Sequence, residues 1–126
     1  MMTKILVVED EPEIRILVKA ILEKAGYSVV EAEDGEAALR LVNVEEPDLV
    51  LLDVMIPGIE GWEVCRRIRE NEATKRLPII MVTVRTTKED IQRSVECGAN
   101  AHINKPFDQK ELLDTIKKLL GETSSP

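Results

Sequence analysis

Leu49-Val50-Leu51-Leu52-Asp53 and Ile5-Leu6-Val7-Val8-Glu9-Asp10 are short, unbroken apolar runs that end in carboxylates. Runs of Val, Ile and Leu this short read as strands buried on both faces of a parallel sheet. Parallel strands present their carboxyl ends along one edge, and that edge carries the ligand sites of open α/β sheets. Side by side, the two runs bring Glu9, Asp10 and Asp53 into one crevice. Three carboxylates there resist full ionisation without a counter-charge. A hard divalent cation with oxygen ligands supplies one, and Mg²⁺ suits a site with few carboxylates and several retained waters.

Working outward, strand-like and helix-like segments alternate along the whole chain. Residues 4–8 read as the first strand. Pro12 then opens a helix, where its missing N–H costs nothing. Ile14, Leu17, Val18, Ile21, Leu22 and Ala25 follow as its inward face, and Gly26 closes it. Residues 28–32 form the second strand, and Asp34 caps a helix from 35 to 44 with Ala37, Ala38, Leu41 and Val42 inward. Pro47 precedes the third strand, 48–52. Pro57-Gly58 marks a turn and Gly61 a second flexible point before a helix over 62–71 that buries Val64, Cys65 and Ile68. Pro78 introduces a fourth strand, 79–83. Thr87-Lys88-Glu89-Asp90 is a capping-box pattern that opens a helix with Ile91 and Val95 inward, ending at Gly98. A fifth strand covers 101–104. Asp108-Gln109-Lys110-Glu111 is a second capping-box pattern, before a helix carrying Leu112, Leu113, Ile116, Leu119 and Leu120. The pattern is an α/β (βα)₅ fold, a five-stranded parallel sheet with helices on both faces.

A chain of 126 residues with 44% apolar content builds one domain with a core, expected over 1–121, with 122–126 a loose tail or the start of a linker. Its formal charge of −7 argues against direct nucleic-acid binding by this domain. No apolar stretch approaches a membrane span and the N-terminus lacks a signal-peptide core, so a soluble cytoplasmic protein is expected. Cys65 and Cys97 belong to no CxxC pair and read as reduced helix cysteines serving as small apolar residues. Trp62 reads as a partly buried residue opening the third helix, and Arg66, Arg67 and Arg69 as that helix's solvated face. Tyr27 and Phe107 are the other aromatics, too few for base stacking.

Two further residues belong at the same edge. Thr83 ends the fourth strand and Lys105 follows the fifth, ahead of Pro106. A lysine there neutralises carboxylates or grips phosphate oxygens, and the threonine hydroxyl can donate to the same oxygens. Pro106 biases Lys105 towards extended backbone, and its peptide bond is open to either isomer.

Four segments, Val7-Val8-Glu9-Asp10-Glu11-Pro12, Leu51-Leu52-Asp53-Val54-Met55-Ile56-Pro57-Gly58, Met81-Val82-Thr83 and Asn104-Lys105-Pro106-Phe107, each fall at a strand end. Together they make the chain resemble a two-component response-regulator receiver domain over essentially its whole length. The resemblance implies a flavodoxin-like, doubly wound sheet in the order 2-1-3-4-5. It implies that Asp53 is the phosphoacceptor, taking a phosphoryl group from a histidine-kinase phosphohistidine or a phosphotransfer domain. Glu9, Asp10, Asp53 and the Met55 backbone carbonyl would hold Mg²⁺, and Lys105 and Thr83 would contact phosphoryl oxygens. The product would switch the face made by the fourth helix, fifth strand and fifth helix, read by a downstream target or a covalently linked output domain. Such a module catalyses only its own phosphorylation and dephosphorylation. It is expected to be monomeric when unmodified, with dimerisation through the last two helices open after activation.

The chain departs from that pattern twice. Val84 stands where the resembled family usually has a small residue, and its branched side chain is open to two effects, narrowing access to Asp53 or slowing the approach of attacking water. His102 replaces the usual Tyr or Phe of the switch. It reads as a flat substitute ring, as a pH-sensitive charge, or as a half-exposed strand residue without a special role. The competing function is a Mg²⁺-dependent phosphohydrolase with an aspartyl-phosphate intermediate. Haloacid-dehalogenase-like enzymes carry a second Asp two residues after the first, where this chain has Met55. A flavin or nucleotide module fits the fold, but Asp10-Glu11-Pro12 stands where its Gly-rich loop belongs.

Overall fold

The computed structural model describes residues 2–122. β1 (Lys4–Val8), β2 (Ser28–Ala32), β3 (Leu49–Leu52), β4 (Ile79–Thr83) and β5 (Ala101–Asn104) form one parallel sheet in the order β2-β1-β3-β4-β5. Between and after them run α1 (Pro12–Lys24), α2 (Gly35–Glu45), α3 (Gly61–Glu70), α4 (Lys88–Glu96) and α5 (Gln109–Leu119). This is the doubly wound, flavodoxin-like arrangement. Val8 pairs with Leu52, so the chain positions that follow β1 and β3 leave the sheet side by side.

The apolar runs lack a polar alternation because both faces of the sheet are covered. Leu6, Val8, Val50, Leu52, Ile79 and Met81 pack on one face with Ala38 and Val42 of α2 and with Val64, Cys65 and Ile68 of α3. Ile5, Val7, Leu49, Leu51, Ile80 and Val82 pack on the other with Val18 and Leu22 of α1 and with Leu112 and Ile116 of α5. Burying each Val, Leu, Ile or Met side chain among these contributes about 1.5–3 kcal/mol. Asp34 caps α2 by accepting from the Ala37 N–H at 2.7 Å.

Several helix faces differ from the sequence pattern. In α1 the sheet-facing stripe holds Val18, Ile21 and Leu22; Leu17 lies at its outer margin, 53% exposed, and Ala25 sits past the last turn as an exposed C-cap. In α4 the expected inward pair is turned out: Ile91 is 39% and Val95 62% exposed, while Asp90 and Ser94 are buried. The capping box forms, with Asp90 accepting from the Thr87 N–H and Thr87 Oγ1 from the Asp90 N–H, and the inner face is held by bonds between Arg85 and Asp90 and between Ser94 and both Trp62 and His102. Asp108 caps α5 through the Lys110 N–H, one residue short of the contact a capping box makes. Arg69 is no part of a solvated face: its guanidinium donates to Gly98 O, Leu77 O and Asn100 Oδ1 and ties α3 to the approach to β5. Tyr27 donates its hydroxyl to Glu122 Oε1 at 2.8 Å, and the rest of the expected tail lies outside the described residues.

Candidate functional site

β1 and β3 deliver the acidic residues. Glu9 N–H donates to Ala32 O and Asp53 N–H to Val8 O, which continues the sheet's hydrogen bonding one residue past each strand. Ligand oxygens of Glu9, Asp10 and Asp53 therefore lie within 4.8 Å of one another. Glu9 and Asp53 are buried and Asp10 is half-buried. The chain follows β3 closely here. Gly61, expected as a flexible point, is instead a close-packing position: a Cβ on it would lie 2.3 Å from Asp53 O, so only glycine lets α3 begin against this backbone.

Lys105 reaches the same crevice from the end of β5, after its N–H donates to Thr83 O at 2.9 Å. The Lys105–Pro106 peptide is cis. The ammonium donates to Asp53 Oδ2 at 2.7 Å and to Glu9 Oε1. Asp53 Oδ1 accepts from the Met55 N–H at 3.0 Å, and Glu9 Oε2 from the Glu11 N–H at 3.2 Å. Burial pushes the Glu9 carboxyl above its ordinary value, and the opposing pull of Lys105 does not cancel it. Burial works to lower Lys105, but Asp53 and Glu9 outweigh it and hold the ammonium above its ordinary value. Removing one partner of such a buried pair strands the other, so each charge here depends on its neighbours.

The donor set tests the cation reading. All three side chains offer hard carboxylate oxygens, they converge on one region, and one of them remains half-exposed for entry. That fits a small, hard, partly hydrated cation. Lys105 neutralises only part of the local negative charge.

The Thr83 hydroxyl and the His102 ring make their hydrogen bonds outside the acidic side chains. Thr83 is fully buried at the end of β4, and its hydroxyl accepts from the Arg85 N–H at 3.2 Å. The His102 ring bridges Ser94 Oγ, at 2.8 Å from Nδ1, and Arg85 O, at 3.0 Å from Nε2. Trp62 Nε1, a donor only, donates to the same Ser94 Oγ at 3.0 Å. The Arg85 guanidinium pairs with Asp90, and with Arg93 it covers the Trp62 ring. Burial works to raise Asp90, but Arg85 and Thr87 outweigh it and hold the carboxyl below its ordinary value. Arg85 thus links the Thr83 hydroxyl to β5, α4 and α3. Nothing in the local sequence marked Arg85 or Ser94, because Trp62 and His102, which both of them contact, lie on other elements; the His102 position was the nearest signal. Val84 is 58% exposed.

Residues 5–117 match the response regulator receiver domain family. The chain is 42% identical over 98% of its length to the phosphate regulon transcriptional regulatory protein PhoB of Escherichia coli. It is 41% identical, also over 98%, to the alkaline phosphatase synthesis transcriptional regulatory protein PhoP of Bacillus subtilis. It spans about half the length of these relatives, 54% and 51%. Among solved structures, the receiver domain of a Pseudomonas aeruginosa sensor histidine kinase superposes with a TM-score of 0.90 at 31% identity, covering 97% of this chain and 100% of that one. That structure has a magnesium ion coordinated in its active site cleft. A Vibrio cholerae chemotaxis response regulator superposes at 0.88 with 34% identity, covering 94% of this chain and 99% of that one. With the sheet order, the acidic crevice and these matches together, the chain belongs to the response regulator receiver domains, the phosphoacceptor signalling modules of two-component systems.

Proposed function

We propose that Asp53 is the phosphoacceptor, taking a phosphoryl group from the phosphohistidine of a histidine kinase or phosphotransfer domain in the cytoplasm. The observation that carries this reading is the buried Lys105 ammonium, 2.7 Å from Asp53 Oδ2 and shared with Glu9. A carboxylate attacking phosphorus must approach a group that is already anionic, so positive charge has to stand beside the nucleophile in advance. Met55 N–H fixes Oδ1 and orients the carboxylate. As Lys105 transfers its hydrogen bond to an incoming phosphoryl oxygen, Oδ2 is released for attack; the O–P bond forms as the P–N bond of the phosphohistidine breaks. Mg²⁺ held by Glu9, Asp10, Asp53 and the Met55 carbonyl would spread the remaining charge on the phosphoryl oxygens.

Thr83 supports the switching half of the reading. Its hydroxyl accepts from the Arg85 N–H and has a proton free to donate to a phosphoryl oxygen. Movement of Thr83 would pull Arg85, and with it the His102 and Asp90 contacts, biasing the face of α4, β5 and α5. That face would meet a downstream target or a linked output domain. The related regulators carry the word transcriptional in their names and are about twice as long, which favours an output unit joined to such a receiver. Residues 1–121 would be the receiver unit. The unmodified domain would be monomeric, with dimerisation through α4 and α5 open to the phosphorylated form. Among the described residues no helix is long and apolar enough to cross a membrane.

Incubation with acetyl phosphate and Mg²⁺ should add the mass of one phosphoryl group, which Asp53→Ala abolishes. A mass gain that survives Asp53→Ala would overturn the assignment. Sustained phosphate release from assorted phosphomonoesters would favour the phosphohydrolase instead.

A further inference from the structure

Cys65 and Cys97 are 32 positions apart, yet Cys65 in α3 lies against the C-cap of α4 and donates its thiol to Cys97 O at 3.3 Å. The Cys65 sulfur therefore sits at the last turn of α4, against the backbone of Cys97, and both thiols are free. Their surroundings differ. Cys65 is fully buried, whereas Cys97 is half-buried. Cys97 lines an open groove of about 230 Å³ with Glu60, Trp62, Glu63, Arg66, Arg93 and Glu96. Its thiol donates to Ser94 O at 3.2 Å. On ionisation of Cys97 the single Cys65 proton turns from Cys97 O to the thiolate, the largest stabilising contribution, and the Ala99 N–H and the Arg69 guanidinium add to it. Against burial, they bring Cys97 down from 9.0 to about 7. Cys65 moves the opposite way, pushed well above its ordinary value by Cys97 beside it and by burial. An accessible, thiolate-prone cysteine beside a buried, protonated one combines an attacking with a resolving sulfur.

We propose that Cys97 is an oxidation site for hydroperoxides and that Cys65 resolves it into an intramolecular disulfide joining α3 to α4. In the first step the Cys97 thiolate attacks a peroxide oxygen. The O–O bond breaks, and the departing hydroxide takes a proton to become water, leaving a sulfenic acid. The Cys65 sulfur then attacks the Cys97 sulfur. The S–O bond breaks and the hydroxyl leaves as water with the Cys65 proton. Two electrons and two protons pass from the thiols to hydrogen peroxide, giving two waters. The bond would fasten the end of α4 to α3, beside the Trp62–Ser94–His102 chain. None of these steps uses Asp53, so the proposal stands or falls independently of the phosphoryl-transfer reading.

The test is hydrogen peroxide treatment of the folded chain, followed by alkylation in denaturant, intact mass and peptide mapping. Both thiols should disappear from alkylation, with a mass loss of about 2 Da that dithiothreitol reverses. Mapping should recover the peptides containing Cys65 and Cys97 as one linked species. The rate should rise with pH, because only the thiolate attacks. Cys65→Ala should trap a dimedone-reactive sulfenic acid at Cys97, and Cys97→Ser should leave Cys65 reduced. Two alkylatable thiols after treatment, or higher oxides of Cys97 with Cys65 still reduced, would overturn the proposal on the unmutated chain alone.

Discussion

α5 buries Leu112 and Ile116 against the sheet, whereas α4 buries Asp90 and Ser94 and turns Val95 to the surface. Both are short helices with good N-caps, but different forces hold them. Apolar burial is non-directional and scales with area, so α5 can shift slightly without losing its anchor. α4 depends on a few directional bonds: Thr87 with Asp90, Asp90 with Arg85, and Ser94 with Trp62 and His102. Hydrogen bonds weaken steeply with angle, so a small displacement of Arg85 reaches all of them. The stretch from Thr83 to Ser94 is therefore where a local event at the crevice can be converted into a shape change. Arg93, near the end of this stretch, lines the groove with Cys97.

The sharpest way to break this contrast is by stability. Leu112→Ala should cost about 2–5 kcal/mol in urea unfolding, since it removes a fully buried side chain from a packed face. Ser94→Ala should cost less, about 1–3 kcal/mol, because it leaves the buried Trp62 indole N–H without its acceptor. The same variant should shift Trp62 emission, which Leu112→Ala should leave nearly unchanged. Unaltered stability and emission in Ser94→Ala would mean that α4 is held by something other than this chain. At the small end, Val95→Ser should stay within about 0.5 kcal/mol of the parent, as its side chain is exposed. A loss as large as that of Leu112→Ala would show α4 to be packed like α5.

The crevice and the α4 network also differ in how far the sequence announced them. Glu9, Asp10 and Asp53 were legible because each directly follows a strand whose apolar run has no other reading. Lys105 was legible because Pro106 and the preceding strand fix where it emerges. Arg85 carried no such mark: its backbone and side chain serve four partners on different elements. The pattern also pointed to Ile91 and Val95 as the inner face, since apolar spacing alone cannot register that a capping box and a serine will claim the inside. Gly61 read as freedom, yet its missing Cβ makes room for the backbone of Asp53.

The sequence by itself determined the alternation of strands and helices, the caps of α2 and α4 and the carboxylates at the strand ends. Each of these depends on residues that are neighbours in the chain, through pleat period, helix period or a three-residue capping contact. Only the tertiary structure decided the rotation of α4, the bridging of Ser94 by Trp62 and His102, and the meeting of Cys65 with Cys97. Those contacts join segments separated by many residues, and their geometry exists only once the sheet has fixed where each helix lies.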